Sequence, residues 1–78
     1  MKLRIISAQD ILFEGDVAVV HLPGSQGAFT VLPNHAAIIS TLTPGNIVFR
    51  TADGDEQTID IEGGLVDVNH NVVSVLVS

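Results

Sequence analysis

The sequence has 78 residues, with nine Asp and Glu against three Lys and Arg, so it makes one small domain of net charge −6. A chain of this size leaves about 4,500 Å² of surface when compact, which allows one core and excludes a second. Lys2, Arg4 and Arg50 are too few to neutralise a run of phosphates, which excludes nucleic acid and anionic lipid as partners, and with no cysteine there are no disulfides, thiolate metal sites or thiol nucleophiles.

Val and Ile contribute 19 residues and Thr five, all stiff at χ1 and suited to pleated surfaces, so strands are expected to dominate. Met1 to Asp10 opens like a signal peptide, but Gln9 and Asp10 interrupt the apolar run early, and neither export nor membrane insertion is expected. The first extended runs are Leu3 to Ala8, Ile11 to Glu14 and Asp16 to Leu22, bounded by Gln9 and Asp10, by Gly15, and by Pro23 and Gly24. Alternation along the third places His21 on the face of Val17 and Val19, as a core or interface histidine. Gly24 to Gly27 has the look of a phosphate loop, but no Gly-Lys-Ser or Gly-Lys-Thr follows, so a hairpin connection to a strand at Ala28 to Leu32 is expected.

One helical turn at most fits Asn34 to Ala37, before a short strand at Ile38 to Leu42. Pro44 and Gly45 read as a turn, with Gly45 supplying a left-handed residue. Asp53 and Gly54 predict a type I′ hairpin between Asn46 to Thr51 and Asp55 to Glu62. In the latter, Ile59 and Ile61 should face inward and Thr58, Asp60 and Glu62 outward. Gly63 and Gly64 then separate Leu65 to Asn69, and the turn Asn69, His70, Asn71 leads into Val72 to Val77. Turn signals every eight to twelve residues or so predict an all-β sandwich or barrel rather than βα units. Leu65, Val72 and Leu76 lie on the parity opposite to Val66, Val68, Val73, Val75 and Val77, so one outer face carries apolar residues, either singly or as a contact patch.

No catalytic constellation stands out. His21, His35 and His70 lack the close spacing of a metal motif, and the five serines lack a nucleophile-elbow context. Asp53, Asp55 and Glu56 flank a hairpin turn, where carboxylates are ordinarily solvated. A carrier domain of biotin or lipoate type is excluded because the only lysine is Lys2. An enzyme using His35 with a carboxylate lacks a nameable base, nucleophile and orienter together. The residues alone therefore describe a small acidic β-sandwich that works by binding, with no cofactor and no metal.

The run Gly27 to Ile39 (GAFTVLPNHAAII) resembles the signature of the epsilon subunit of rotary, F-type ATP synthase. Phe13-Glu14-Gly15, Leu42-Thr43-Pro44-Gly45, Ile61 to Val68 and Asn71 to Leu76 look like further landmarks of that family, in order, over nearly the whole chain. The resemblance implies a single domain over residues 1–78, a flattened β-sandwich of about ten short, mostly antiparallel strands, without the carboxy-terminal helical hairpin that the family usually carries. It implies a non-catalytic rotor subunit of the central stalk, peripheral on the cytoplasmic face of the bacterial cell membrane. Such a subunit helps lock the gamma subunit to the membrane c-ring, so that torque reaches the catalytic sites in ATP synthesis. Without the hairpin, coupling without inhibition of ATP hydrolysis is expected.

Carried over by position, Ser25, Gln26, Gly27 and Ala28 would face the polar loops of the c-ring, and Asn34, His35, Ile38, Ile39 and Thr41 would face gamma. Ala28 departs from relatives with an acidic residue there, which removes one charge contact, although the acidity of the chain still suits a basic partner. The alternative from another class is a stand-alone β-sandwich ligand-binding or adaptor module.

Overall fold

Alternating apolar residues fold into eight strands and no helix in a computed structural model that describes residues 1–78. The strands are β1 (Lys2–Ile6), β2 (Ile11–Leu22), β3 (Phe29–Val31), β4 (Ile38–Leu42), β5 (Gly45–Thr51), β6 (Glu56–Ile61), β7 (Gly64–Asn69) and β8 (Val72–Val77). One sheet runs β4-β7-β8-β1 and ends on the first half of β2; the other is built from β3, the second half of β2, β5 and β6. Every pairing is antiparallel except that of the first and last strands, where Lys2 to Ile6 lie parallel to Val72 to Leu76. The molecule measures 27 × 24 × 17 Å and exposes 4543 Å², the area expected of one compact core.

The expected all-β sandwich is present, with eight strands rather than about ten. One strand fewer arises because Gly15 does not end a strand. Phe13, Gly15 and Val17 share the inner face of β2, and a Cβ at Gly15 would come within 3.2 Å of the Phe13 ring. The missing side chain leaves room for that ring, which packs against Phe49 of the other sheet with centroids 4.4 Å apart and a tilt of 52°. The strand therefore crosses from one layer to the other where Gly15 yields space.

A second irregularity follows. Val17 pairs with Thr51 and Val19 with Arg50, so Ala18 is an extra residue, a β-bulge. The bulge shifts the alternation by one: Phe13, Gly15 and Val17 point inward before it, Val20 and Leu22 after it. Consequently His21 does not share the face of Val17. It lies exposed on the outside of the second sheet, where its Nδ1 is 2.8 Å from Thr30 Oγ1.

The turns also differ in kind from expectation. Gly45 opens β5 without left-handed backbone, because its small size is used against Pro23, whose Cβ would lie 3.1 Å from a side chain there. The β5–β6 hairpin forms, but only Gly54 (φ 96°) is left-handed. The Gly54 amide donates to Thr51 O at 2.9 Å, giving a three-residue loop of type I turn plus bulge instead of type I′. The type I′ geometry belongs to the β7–β8 hairpin, where His70 (φ 51°) and Asn71 (φ 61°) link the paired residues Asn69 and Val72. No helical turn forms at 34–37. Leu32 to His35 make a β-turn, closed by the His35 amide on Leu32 O at 3.1 Å, with Pro33 second and left-handed Asn34 (φ 65°) third.

The core is entirely apolar, led by Phe49, Leu3, Ile5, Leu22 and Ile47, and the inward valines of β7 and β8 join Val20, Val31 and Ile61 in the same cluster. Ile61 is 7% exposed and Ile59 half-buried, as their alternation with Asp60 requires. Two outcomes are expected in denaturant titrations. Ile61→Ala should cost about 2 to 5 kcal/mol and Asp60→Ala less than about 0.5. Deleting Ala18 would turn His21 inward and Val20 and Leu22 outward, and should abolish the cooperative transition.

Candidate protein interface

The register across the first sheet assembles its outer face row by row. One row runs Thr41 (β4), Leu65 (β7), Leu76 (β8), Ile6 (β1) and Ile11 (β2), each directly paired with the next. Four of these five are large and apolar, and Leu65, Leu76 and Ile11 are 44%, 50% and 53% exposed. At about 4.8 Å per strand, the apolar part spans roughly 14 Å. The next row runs Ile39, Asp67, Ser74, Arg4 and Glu14. Ile39 is 70% exposed, the most open large apolar side chain of the chain. Arg4 Nε pairs with Glu14 Oε2 at 3.5 Å, a half-exposed ion pair of small energetic value. A shallow depression with about 200 Å³ open to water lies over β7, β8 and β1, floored by Leu65, Leu76 and Ile6 and rimmed by Asp67 and Arg4.

The outer face of the second sheet is different. Its outward pairs are Asn46 with Asp60, Val48 with Thr58 and Arg50 with Glu56, and beyond them His21 with Thr30. Apart from the half-buried Val48 these are polar residues, as on an ordinary solvated sheet face. The contrast turns the exposed apolar residues of the first sheet from scattered surface valines and leucines into a contiguous patch.

The residues singled out in sequence fall at the two ends of β4. Ser25, Gln26, Gly27 and Ala28 form an exposed loop between β2 and β3, beside the end of β4. A clamp holds it there. The Ser25 amide donates to Thr41 O at 2.9 Å, the Thr43 amide donates to Pro23 O at 2.9 Å, and the Ser25 and Thr41 hydroxyls lie 2.5 Å apart. Two residues expected to face different partners thus bond to each other. Gly24, buried and bridged to Leu42, lies under this loop.

At the other end, Asn34 and His35 sit in the turn that precedes β4. Asn34 is exposed and His35 half-buried, its Nδ1–H donating to Ala36 O at 2.7 Å. Ile39 and Thr41 point outward onto the first sheet's face. Ile38 does not; it pairs with Val68 on the inner side and packs half-buried against the core, so the outward set on β4 is Ile39 and Thr41. Parity in the sequence already set Leu65, Val72 and Leu76 apart. Ile6, Ile11 and Asn71 escaped it, because only the cross-strand register brings the first two into line and only a long-range hydrogen bond brings in the third. No cluster of three His, Cys, Asp or Glu side chains is close enough to hold a metal ion. No helix is long and apolar enough to cross a membrane.

An apolar core, hydrogen-bonded loops and an apolar row on one outer sheet face define a small β-sandwich. The chain belongs to the ATP synthase delta/epsilon chain family, whose beta-sandwich domain matches residues 1–78. It is 42% identical over 77 residues to the ATP synthase epsilon chain of a Nitratiruptor species, covering 99% of this chain and 60% of that one. The ATP synthase epsilon chain of a Sulfurovum species is 43% identical with the same coverage. The chain thus spans about 60% of the length of these curated relatives.

The same fold occurs in a solved structure of the Euglena gracilis mitochondrial ATP synthase (OSCP/F1/c-ring), with a TM-score of 0.89 at 23% identity over 96% of this chain and 48% of that one. A chain of the central stalk/c-ring structure of the Tetrahymena thermophila mitochondrial ATP synthase gives 0.82 at 17% identity, over 99% of this chain and 62% of that one.

Gly24 is the residue on which the loop clamp rests. A Cβ there would lie 2.7 Å from Gly27 O and 2.8 Å from the Phe29 ring, contacts that the backbone must move to relieve. Gly24→Ala should lower stability by about 1 to 3 kcal/mol in urea titration and speed amide exchange at Ser25 and Thr43.

Proposed function

We propose that this domain is a non-catalytic rotor element of the central stalk of a proton-translocating F-type ATP synthase, helping lock the gamma subunit to the c-ring so that torque passes between them in ATP synthesis. The observation that carries the reading is the contiguous apolar row on one outer sheet face of a chain in the delta/epsilon family, opposite a face that is mainly polar. The epsilon-chain names of the bacterial relatives and the central-stalk setting of the Tetrahymena fold relative support it.

Gamma takes the face of Ile39, Thr41, Leu65 and Leu76 together with the adjoining turn at Asn34 and His35. The polar loops of the c-ring take Ser25 to Ala28. With Ala28 neutral, that second contact relies on Ser25, Gln26 and backbone groups rather than on a charge pair. The net charge of −6 favours encounter with a basic partner surface. On this reading the domain works peripherally at the cytoplasmic face of the bacterial cell membrane, without inserting into it and without bond chemistry of its own. Its mechanical task asks only for a stiff body, and a close-packed core of low compressibility supplies one.

Co-purification and titration with the gamma subunit of the same synthase test the proposal. Wild-type chain should bind gamma, whereas Ile39→Glu and Leu76→Glu, at positions solvated in the free domain, should keep the fold and weaken binding on the order of 30-fold, because each buries an unpaired charge. His35→Glu should weaken it as well. Undiminished binding by all three would move gamma to another face, and a wild-type chain that ignores gamma would leave an adaptor module of another assembly.

A further inference from the structure

We infer that Asn71, in the β7–β8 hairpin, is a positioning residue that holds the Leu32–His35 turn ready for the partner of the first sheet's outer face. The inference rests on the gamma-binding reading above and adds to it a residue outside the contact face.

The turn at Leu32 to His35 has one central backbone amide that its own geometry cannot satisfy. Its closing bond uses the His35 amide, and the Asn34 amide, at the third position, is left over. Asn71 Oδ1 accepts that amide at 2.8 Å, across 37 residues of sequence. No other side chain of the chain ties this turn to a distant element through a hydrogen bond.

The backbone of Asn71 marks it as more than a turn former. A type I′ turn requires positive φ at both central residues, and at the second of them glycine meets no steric cost. Asn71 occupies that position with φ 61°, half-buried, and its side chain points back to the neighbouring turn. Its carbonyl also accepts the Lys2 amide at 3.1 Å, so one residue joins the start of β1, the β7–β8 hairpin and the Asn34 turn. The hairpin belongs to the central strands of the first sheet, so it is a stiff anchor for a turn that β4, an edge strand, supports from one side only. Fixing the turn in the free domain removes an ordering cost at the moment of binding, which appears as affinity without any contact by Asn71 itself.

Two substitutions separate this role from plain stability, since both tolerate left-handed backbone. Asn71→Gly removes the acceptor and relaxes the hairpin, while Asn71→Asp keeps an acceptor oxygen in place. In Asn71→Gly, amide exchange at Asn34 should speed up about tenfold or more while Val66 and Val75 keep wild-type protection, and binding of gamma should weaken about three- to tenfold. Asn71→Asp should restore both. Wild-type gamma affinity in Asn71→Gly with the Asn34 amide freed would overturn the positioning role, as would unchanged Asn34 exchange. Loss of binding in Asn71→Asp equal to that in Asn71→Gly would overturn it too. If wild-type chain fails to bind gamma at all, the functional reading falls and this role with it, whatever the Asn34 amide reports.

Discussion

The alternation of side chains along β2 is the constraint on which the structure depends. That strand must line the core of two sheets in succession, and a regular period of two would satisfy only one of them. Gly15 makes the crossing sterically open, and the extra residue at Ala18 resets the alternation so that Val20 and Leu22 meet the core as Phe13 and Val17 do. Everything built on β2 inherits this correction. β3 and β5 pair only with its second half, β1 only with its first, and the Phe13–Phe49 contact joins the layers near the crossing.

The two outer faces then acquire different characters from ordinary strand parity. The second sheet presents the outward residues of β5 and β6, which are mainly polar. The first presents those of β7, β8 and β1, where Leu65, Leu76 and Ile6 fall side by side in register. The loops at either end of β4 are held by bonds to the body rather than by packing of their own: Ser25 to Thr41 at one end, Asn34 to Asn71 at the other. Roughly 13 Å of strand separates them. A surface organised in this way keeps two contact segments at a fixed spacing on a body that has no soft layer between them.

Much of this was legible in the residues. Alternation at Ile59, Asp60 and Ile61 identifies the inward set, because that strand is regular and each face sees one environment, and at Leu65 to Val68 it separates two apolar parities without saying which is inward. His21 was misplaced for the opposite reason: nothing in Asp16 to Leu22 marks Ala18 as the extra residue, since a bulge is set by pairing with β5 and not by local preference. Dipeptide preference alone makes Gly45 left-handed and Asp53-Gly54 a type I′ turn, whereas Pro23 and the hydrogen bonds of Thr51 decide their geometry. The resemblance to epsilon chains supplied the family and the ordering of contact segments. It carried Ile38 along with its neighbours, and only the register shows that this side chain points to the inner side, half-buried against the core. The apolar row needed that register as well, because Ile6 and Ile11 are distant in sequence from Leu65 and Leu76.

The parallel pairing of β1 with β8 also governs how the domain assembles. Lys2 meets Val72 only after the intervening chain has closed a loop of about 70 residues, costing about 1.7 kcal/mol more entropy than a ten-residue closure. During synthesis β1 leaves the ribosome first and waits for its β8 partner until nearly the entire domain has been made. In that interval the β1–β2 hairpin can form, yet the other edge of β1, which β8 will take, stays unpaired. A sheet whose central seam is the last to close folds as a late, concerted event, and the nascent chain carries an open strand edge until then.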